Sequence, residues 1–205
     1  MPHRAEWRGD PNTTKPRDVK RILRLAHATK NDIFYDLGCG HGRVCIIAAE
    51  KVKLAVGIED HYATYRKAIE AVKKSGLVHK IIIRHSDFLN AKISHATIVY
   101  AVALEDSERD GEHYENVLKA GCRFITLYLP LIGTKQDKVD YPYFMMKVPF
   151  KHAKDELEWA RSVLRTKNAT PTKLYKKLRS WYGRKYVRTL RRILKKRLKN
   201  ASSKK

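Results

Sequence analysis

Residues 36–43 read DLGCGHGR, and this stretch decides the fold. The residues before it, 32–36, are rich in β-branched and aromatic side chains, which predicts a strand. Residues 43–51 place Val44, Ile47 and Ala48 at helical spacing, which predicts a helix. The glycines between them let the backbone turn sharply and approach a ligand without a Cβ in the way. Any tight turn favours glycine, so the assignment depends on what surrounds the turn.

Strands and helices alternate along the first 150 residues. This order is typical of an α/β domain with a central, mostly parallel sheet and helices on both faces. The predicted elements are helix 16–28, strand 32–36, helix 43–51, strand 54–59, helix 62–74, strand 80–84, strand 97–102, helix 107–119, strand 123–129 and a last strand 143–148, which would form half of a shortened hairpin.

Acidic residues follow the predicted strands at one edge of the sheet. Asp36 ends the first strand, Glu59 ends the second, and Asp87 follows the third, next to Phe88. Open α/β sheets bind ligands at the carboxyl ends of their strands, and a carboxylate about 20 residues after the glycine turn reaches ribose hydroxyls. The chain lacks GxxxxGK[ST], and its glycine spacing does not fit GxGxxG, so ATP and NAD are disfavoured. An acidic residue at the start of the turn, Asp36, would attract a positively charged group of a ligand.

These motifs resemble those of a known family. DLGCGHGR, VGIE at 56–59 and HSDF at 85–88 are similar to the successive motifs of class I, seven-strand S-adenosylmethionine-dependent methyltransferases, over residues 14–130. The resemblance implies a Rossmann-like fold with S-adenosylmethionine as cofactor. It implies that Asp36, Gly38 and Gly40 cradle the methionine end of the cofactor.

The same resemblance assigns the rest of the cofactor. Glu59 would hold the ribose, and Asp87 with Phe88 would frame the adenine. The predicted cofactor site is completed by Cys39, Gly42 and Thr14.

More narrowly, TKPRDVKRILRLA at 14–26 and the first two motifs resemble archaeal protein-lysine methyltransferases and the Dot-type, non-SET histone lysine methyltransferases. After the fourth strand the sequence is YAVAL at 100–104, where enzymes that methylate adenine or glutamine amino groups have Asn-Pro-Pro-Tyr or Asp-Pro-Pro-Tyr. The resemblance therefore favours lysine as the acceptor. The family's aromatic gate before the first helix is replaced by PNTTKP at 11–16, so Trp7 or Thr14 would line the channel.

Methyl transfer mainly needs alignment of donor and acceptor and exclusion of water. A lysine acceptor is neutral in roughly one molecule in a few thousand at pH 7, so an apolar channel would help. The candidate catalytic residues are the aromatic Trp7, Tyr100 and Tyr128, which could surround the amine, and Glu105, which could accept a proton. Ordinary packing explains each aromatic as well, and a solvated helix start explains the acid.

Composition limits the compartment and the partners. The 205 residues carry 44 Lys+Arg and 21 Asp+Glu, a net charge of +23, which favours polyanionic partners. The 3 cysteines form no CxxC pair, and no ligand spacing indicates a metal. No long apolar run indicates a transmembrane segment or a signal peptide, so we expect a cytoplasmic protein associated with the nucleoid or with ribosomes.

The charge is concentrated at the C-terminus. We therefore predict a methyltransferase domain over 1–150, a helix and linker over 151–169, and a basic amphipathic helical extension over 170–205, where apolar residues recur every four positions. We predict that this arm binds DNA or RNA phosphates; an anionic membrane surface and a merely solvated face are the alternatives. Its candidate nucleic-acid-binding residues are Lys176, Lys177, Arg179, Arg184, Lys185, Arg188, Arg191, Arg192, Lys195, Lys196 and Arg197.

Three functions compete at this point. The first is a protein-lysine N-methyltransferase that acts on basic chromatin or ribosomal proteins, delivered to them by the nucleic-acid-binding arm. The second is an RNA methyltransferase that uses the arm to bind its own substrate. The third is a non-catalytic nucleic-acid-binding protein with a degenerate cofactor fold, which the intact motifs disfavour.

Overall fold

The computed structural model describes residues 14–102, 107–127, 130–154, 158–159 and 162–163. The chain divides into two compact units, Met1–Tyr100 and Ala101–Lys205. Seven strands form a sheet, in the spatial order β3 (Ile81–His85), β2 (Leu54–Glu59), β1 (Ile33–Leu37), β4 (Ile98–Ala101), β5 (Arg123–Leu127), β8 (Tyr143–Lys147) and β7 (Lys138–Asp140). None of the helices in the described ranges is long and apolar enough to cross a membrane.

The first unit follows the predicted alternation of helices and strands. Its β1 and β2 pair in parallel, as do β2 and β3, and the strand residues are mostly buried. Helix α2 contacts α1 and α3, and it also contacts β1 and β2. The elements are α1 (Pro16–Leu25), β1 (Ile33–Leu37), α2 (Arg43–Ala49), β2 (Leu54–Glu59), α3 (Tyr62–Ser75), β3 (Ile81–His85) and β4 (Ile98–Ala101).

The first helix ends at Leu25, earlier than the apolar periodicity predicts. His27 has φ +49, so the chain leaves the helix there. The N–H of His27 donates to Arg24 O and that of Ala28 donates to Leu23 O, at 3.0 and 2.9 Å. This is the Schellman arrangement, in which a left-handed residue ends a helix; here that residue is a histidine instead of the usual glycine.

The second unit contains antiparallel pairs. Strand β8 pairs with β5 on one side and with β7 on the other, so the predicted shortened hairpin is present as β7–β8. The two-residue strands β6 and β9, which the sequence did not predict, pair with each other. The elements are α4 (Ser107–Val117), β5 (Arg123–Leu127), β6 (Thr134–Lys135), β7 (Lys138–Asp140), β8 (Tyr143–Lys147) and β9 (Lys151–His152).

Candidate active site

The glycine turn joins β1 to α2 and is tied to the end of the neighbouring strand. The N–H groups of Gly38 and Cys39 both donate to Ile58 O at 2.9 Å. Gly38 has φ +78, and nothing lies within 4 Å of the position that a Cβ on it would take. An L side chain is strained at this φ, and it would also project into the open side of the turn. The turn therefore presents bare backbone, as the sequence predicted.

Gly57, in the middle of β2, leaves space for Cys39 of the glycine turn. A Cβ on Gly57 would lie 2.6 Å from Cys39 Sγ and 2.8 Å from Ile83 Cδ1. Real Cβ atoms do not approach this closely, so glycine is required for Cys39 to pack under the turn. The role of Gly57 was not predicted from the sequence. Its only signal was a glycine inside a strand, which often marks a close approach of other groups.

Glu59 ends β2 and fixes the second half of the turn. Its Oε2 accepts a hydrogen bond from Gly40 N–H at 2.9 Å, and its Oε1 accepts one from His61 N–H at 3.1 Å. Burial raises the pKa of Glu59, and the hydrogen bonds from His61 and Gly40 offset part of that rise. The carboxylate therefore orients the turn, and each oxygen keeps a further lone pair for a ligand.

Asp36 ends β1 and is buried, with 4% of its surface exposed. Burial raises the pKa of Asp36 from 3.8 to about 8, and the charge of Glu59 adds to the rise. Two carboxyl groups that share a buried site without a cation between them cannot both ionise easily. This strand edge is thus arranged to receive a positively charged ligand.

Asp87 and Phe88 follow β3, and both are half-buried. Asp87 Oδ1 accepts a hydrogen bond from Leu89 N–H at 2.9 Å, which stabilises the turn. Close by in sequence, His85 pairs in register with Glu59 and packs against Tyr62 and Tyr65, with ring centroids 5.4 and 5.3 Å apart. This aromatic group at the ends of β2 and β3 was also missed by the sequence analysis, because its members come from two different elements.

Tyr100 and Thr14 are brought together. The Tyr100 hydroxyl lies 3.2 Å from Thr14 Oγ1, and the tyrosine is 1% exposed. Thr97 N–H donates to Ile33 O where β4 and β1 begin, so Tyr100 lies three residues along its strand just as Asp36 does. The hydroxyl pair therefore belongs to the same end of the strands as the glycine turn.

Several predicted site residues lie outside the described residues. These are Trp7, Glu105 and Tyr128 among the catalytic candidates, and the whole basic extension over 170–205. Their roles stay predictions. The boundaries predicted at residues 150 and 169 stay predictions too.

The three cysteines are buried. A hydrogen bond with Cys39 and burial raise the pKa of the Cys45 thiol. A thiol whose pKa is raised is a poor nucleophile, so Cys45 contributes packing. In the described part of the chain, no group of three His, Cys, Asp or Glu side chains could hold a metal ion.

Solved structures share this fold. An RNA methyltransferase from Salinibacter ruber, solved with S-adenosyl-L-homocysteine, is 28% identical, with a TM-score of 0.64. The match covers 69% of this chain and 97% of that one. The YcgJ protein from Bacillus subtilis, at 13% identity and a TM-score of 0.50 over 55% of this chain and 50% of its own, shares the fold. The sheet and the glycine turn define the class: the chain is a class I methyltransferase that uses S-adenosylmethionine.

A relative found by sequence similarity identifies the family within this class. A protein-lysine N-methyltransferase from Saccharolobus islandicus is 36% identical over 129 residues, which cover 62% of this chain and 80% of that protein. The chain belongs to the family of these archaeal protein-lysine N-methyltransferases. No protein-family model matches it.

The site fits S-adenosylmethionine on two observations. The open side of Gly38 provides bare backbone, and the buried pair Asp36 and Glu59 favours a cation. S-adenosylmethionine supplies a methyl group on a positively charged sulfonium. Asp36 and the backbone at Gly38 and Gly40 would hold its methionine end, Glu59 its ribose, and Asp87 with Phe88 its adenine, as the resemblance implies.

Proposed function

We propose that this protein is a lysine N-methyltransferase that acts on proteins associated with nucleic acid. The observation that carries the proposal is the 36% identity to a protein-lysine N-methyltransferase over 80% of that protein's length. The sequence YAVAL at 100–104 agrees with it, because the Pro-Pro-Tyr element used on planar amino groups is absent.

The residues of this chain can prepare an amine for attack. Tyr100 is buried, and its hydroxyl group is held by Thr14 at 3.2 Å, so its ring is a fixed wall at the end of β4. A fixed aromatic wall excludes water and lowers the pKa of an approaching ammonium, which increases the neutral fraction. Trp7 and Tyr128 are proposed as further walls, and Glu105 as the proton acceptor.

The charge of the chain suggests how substrates are reached. A net charge of +23 repels free lysine-rich proteins. Nucleic acid resolves this conflict, because a polyanion can hold the enzyme and a basic substrate at once. In our proposal the arm over 170–205 binds DNA or RNA and delivers the methyltransferase unit to basic proteins bound there.

RNA methylation is the second candidate. It is favoured by the similarity to the Salinibacter ruber RNA methyltransferase, nearly all of which is covered by the match. In that case the basic arm would hold the substrate itself.

One experiment separates the two candidates. Radiolabelled S-adenosylmethionine is incubated with the enzyme and a cell extract that retains its nucleic acid, and the product is divided between protease and nuclease. We expect protease to release the label and nuclease to spare it. Label lost only to nuclease would make RNA the substrate.

Two variants serve as controls for that experiment. Gly38→Arg, in the glycine turn, should abolish labelling in both halves. Glu70→Gln, which removes an exposed acid in α3, should leave labelling unchanged. Deletion of residues 170–205 should reduce labelling of nucleic-acid-bound protein at physiological salt; unchanged labelling would contradict delivery by the arm.

A further inference from the structure

A groove in the first unit lies away from the glycine turn. It has a volume of about 700 Å³, and it is formed by the last turns of α1 and α2 and the residues that follow them. Because α2 begins directly after the turn and contacts β1 and β2, its last turn lies at the opposite, amino edge of the strands. At 1.5 Å per residue, the helix separates the groove from the turn by about 10 Å. We call this cavity the α1–α2 groove.

The groove has an apolar floor and a cationic rim. Leu23 and Ile47 form part of the floor. Lys20, Arg24 and Lys51 line the rim and are exposed. Lys20 and Arg24 are four residues apart on α1 and therefore neighbours on one helix face. In the part of the chain that the structure describes, none of the three forms an ion pair, whereas Arg21 is 3.6 Å from Asp18. The one acid in the lining is Glu50.

The chain that follows Ala28, the last groove residue contributed after α1, is held by hydrogen bonds. Asp32 is buried, and its Oδ2 accepts hydrogen bonds from the N–H and hydroxyl groups of Thr29 at 2.7 and 2.9 Å, while its Oδ1 accepts one from Thr97 at 2.7 Å. The negative charge of Asp32 is thus satisfied inside the protein. Asp32 is not among the residues that line the groove.

We propose that the α1–α2 groove binds single-stranded nucleic acid. Lys20, Arg24 and Lys51 would contact the phosphate backbone, and the apolar floor would cover an unpaired base. A cationic rim complements the negative charge of a phosphodiester chain. A concave apolar floor can contact an unpaired base, whereas the bases of a duplex are paired and stacked inside the helix and cannot reach it. The site is separate from the cofactor site and from the predicted arm. It would give the methyltransferase unit a nucleic-acid contact of its own, whichever macromolecule receives the methyl group.

The test is a titration of the full-length protein with a labelled single-stranded oligouridylate, followed by fluorescence anisotropy at salt concentrations from about 50 to 200 mM. Each lost phosphate contact should lower the slope of log K against log salt by about 0.7 for a single strand, so Lys20→Ala/Arg24→Ala should lower it by about 1.4. Glu50→Gln should tighten binding, because the remaining acid of the groove is removed.

The matched control is Lys73→Ala/Lys74→Ala. It removes the same charge from two exposed lysines at the end of α3, outside the groove. We expect the control to change the slope much less than the groove variant does. Equal changes from the two pairs would mean that the protein attracts nucleic acid by its net charge alone, and would overturn the proposal.

Two further probes test the ligand class. A duplex of the same length should be affected no more by the groove variant than by the control; an equal loss for duplex and single strand would overturn the assignment to unpaired bases. ATP at the same phosphate concentration should compete poorly; complete competition would make the groove a small-nucleotide site. Binding of S-adenosyl-L-homocysteine, followed by calorimetry, should be unchanged in all these variants, so a failure here leaves the proposed lysine methylation standing.

Discussion

The carboxyl groups at the ends of β1 and β2 and those of the second unit have opposite environments. In the first unit, Asp36 and Glu59 are buried at the ends of neighbouring strands, and burial raises both pKa values. In the second unit, Glu115 accepts a hydrogen bond from Phe150 N–H at 2.8 Å, and its other oxygen lies 2.9 Å from His152 Nε2. Asp137 there accepts a hydrogen bond from Lys147 N–H at 2.8 Å and pairs with Lys151.

This difference between the two sets of carboxyl groups distinguishes a ligand-binding role from a structural role. A carboxyl group that gains partners on folding stabilises the fold, as in the second unit. A buried carboxyl group beside another acid lowers the stability of the fold. Its presence therefore indicates a ligand whose binding offsets this unfavourable contribution. The same residue types therefore indicate a site at Asp36 and Glu59 and structural support at Glu115 and Asp137.

The contrast is tested most strongly in the glycine turn. Gly38→Arg should weaken binding of S-adenosyl-L-homocysteine at least about 100-fold, which is about 2.7 kcal/mol. The substituted side chain would occupy the open side of the turn and place its cation beside Asp36. The measurement is isothermal titration calorimetry.

The matched control is Gly76→Arg. Gly76 ends α3 with φ +72, and a Cβ there also has nothing within 4 Å, so the backbone strain is the same as at Gly38. We expect it to lower stability but to retain cofactor binding. If both variants lost binding equally, the effect would come from strain, and the turn would not be the site. Nucleic-acid affinity should survive in both.

The pH dependence of stability tests the buried acid. The pKa of Asp36 is about 8 in the folded chain against an ordinary 3.8, so the folded state binds more protons between these values. Stability should therefore fall as pH rises from about 4 to about 8, by at most about 1.4 kcal/mol per pH unit. Asp36→Asn should remove this contribution. Urea unfolding of both proteins at pH 5 and pH 7 measures the difference.

Asp137→Asn provides the contrasting variant from the second unit. Asp137 is held by Lys147 N–H and Lys151, so its carboxylate favours the folded state. The variant should lose stability near pH 7, whereas Asp36→Asn gains it. A loss in both variants would show that the buried acid is as well satisfied as the paired one.

The sequence predicted the scaffold better than its packing. The strands carry β-branched and aromatic side chains, and local propensity is enough to place β1, β2 and β5 within a few residues. The carboxyl groups at the strand ends could be found in the same way, because a parallel sheet brings such ends to one edge. The shared environment of Asp36 and Glu59, by contrast, depends on which strands are neighbours, and the turn sequence does not give that.

Gly57 and the end of α1 show why the rest was missed. Gly57 is constrained by Cys39 and Ile83, which come from other elements, so no pattern within β2 reveals the contact. His27 adopts a left-handed φ that sequence rules assign to glycine, so the apolar periodicity alone extended α1 too far. The short strands β6 and β9 have two residues each, too few for any periodicity to be visible.

The close packing of Cys39 against Gly57 can be tested by substitution. Gly57→Ala should destabilise the protein by about 1–3 kcal/mol, because its Cβ would overlap Cys39 Sγ, 2.6 Å away. Cys39→Ala in the same chain should recover part of the loss, which a double-mutant cycle by urea unfolding measures.

Gly111→Ala is the matched substitution in the second unit. Gly111 lies inside α4, and a Cβ there would meet nothing nearer than 4.0 Å. Alanine is the better helix former by about 0.8–1.0 kcal/mol, so this variant should be more stable than the parent. The two glycine variants thus have opposite signs. A loss at both positions, or no rescue by Cys39→Ala, would contradict the packing assigned to Gly57.

The smallest effect is expected at Glu115. Glu115→Gln keeps an oxygen to accept the Phe150 N–H but weakens the contact with His152, which is largely exposed. We expect a loss of about 0.5–1.5 kcal/mol, measured by urea unfolding. Glu112→Gln, an exposed acid one turn earlier in α4, should change stability by less than that. Cofactor binding should be the same in both variants, because we assign the acids of this unit to stability and those at the ends of β1 and β2 to ligand binding. A change in cofactor affinity caused by Glu115→Gln alone would contradict this assignment of roles.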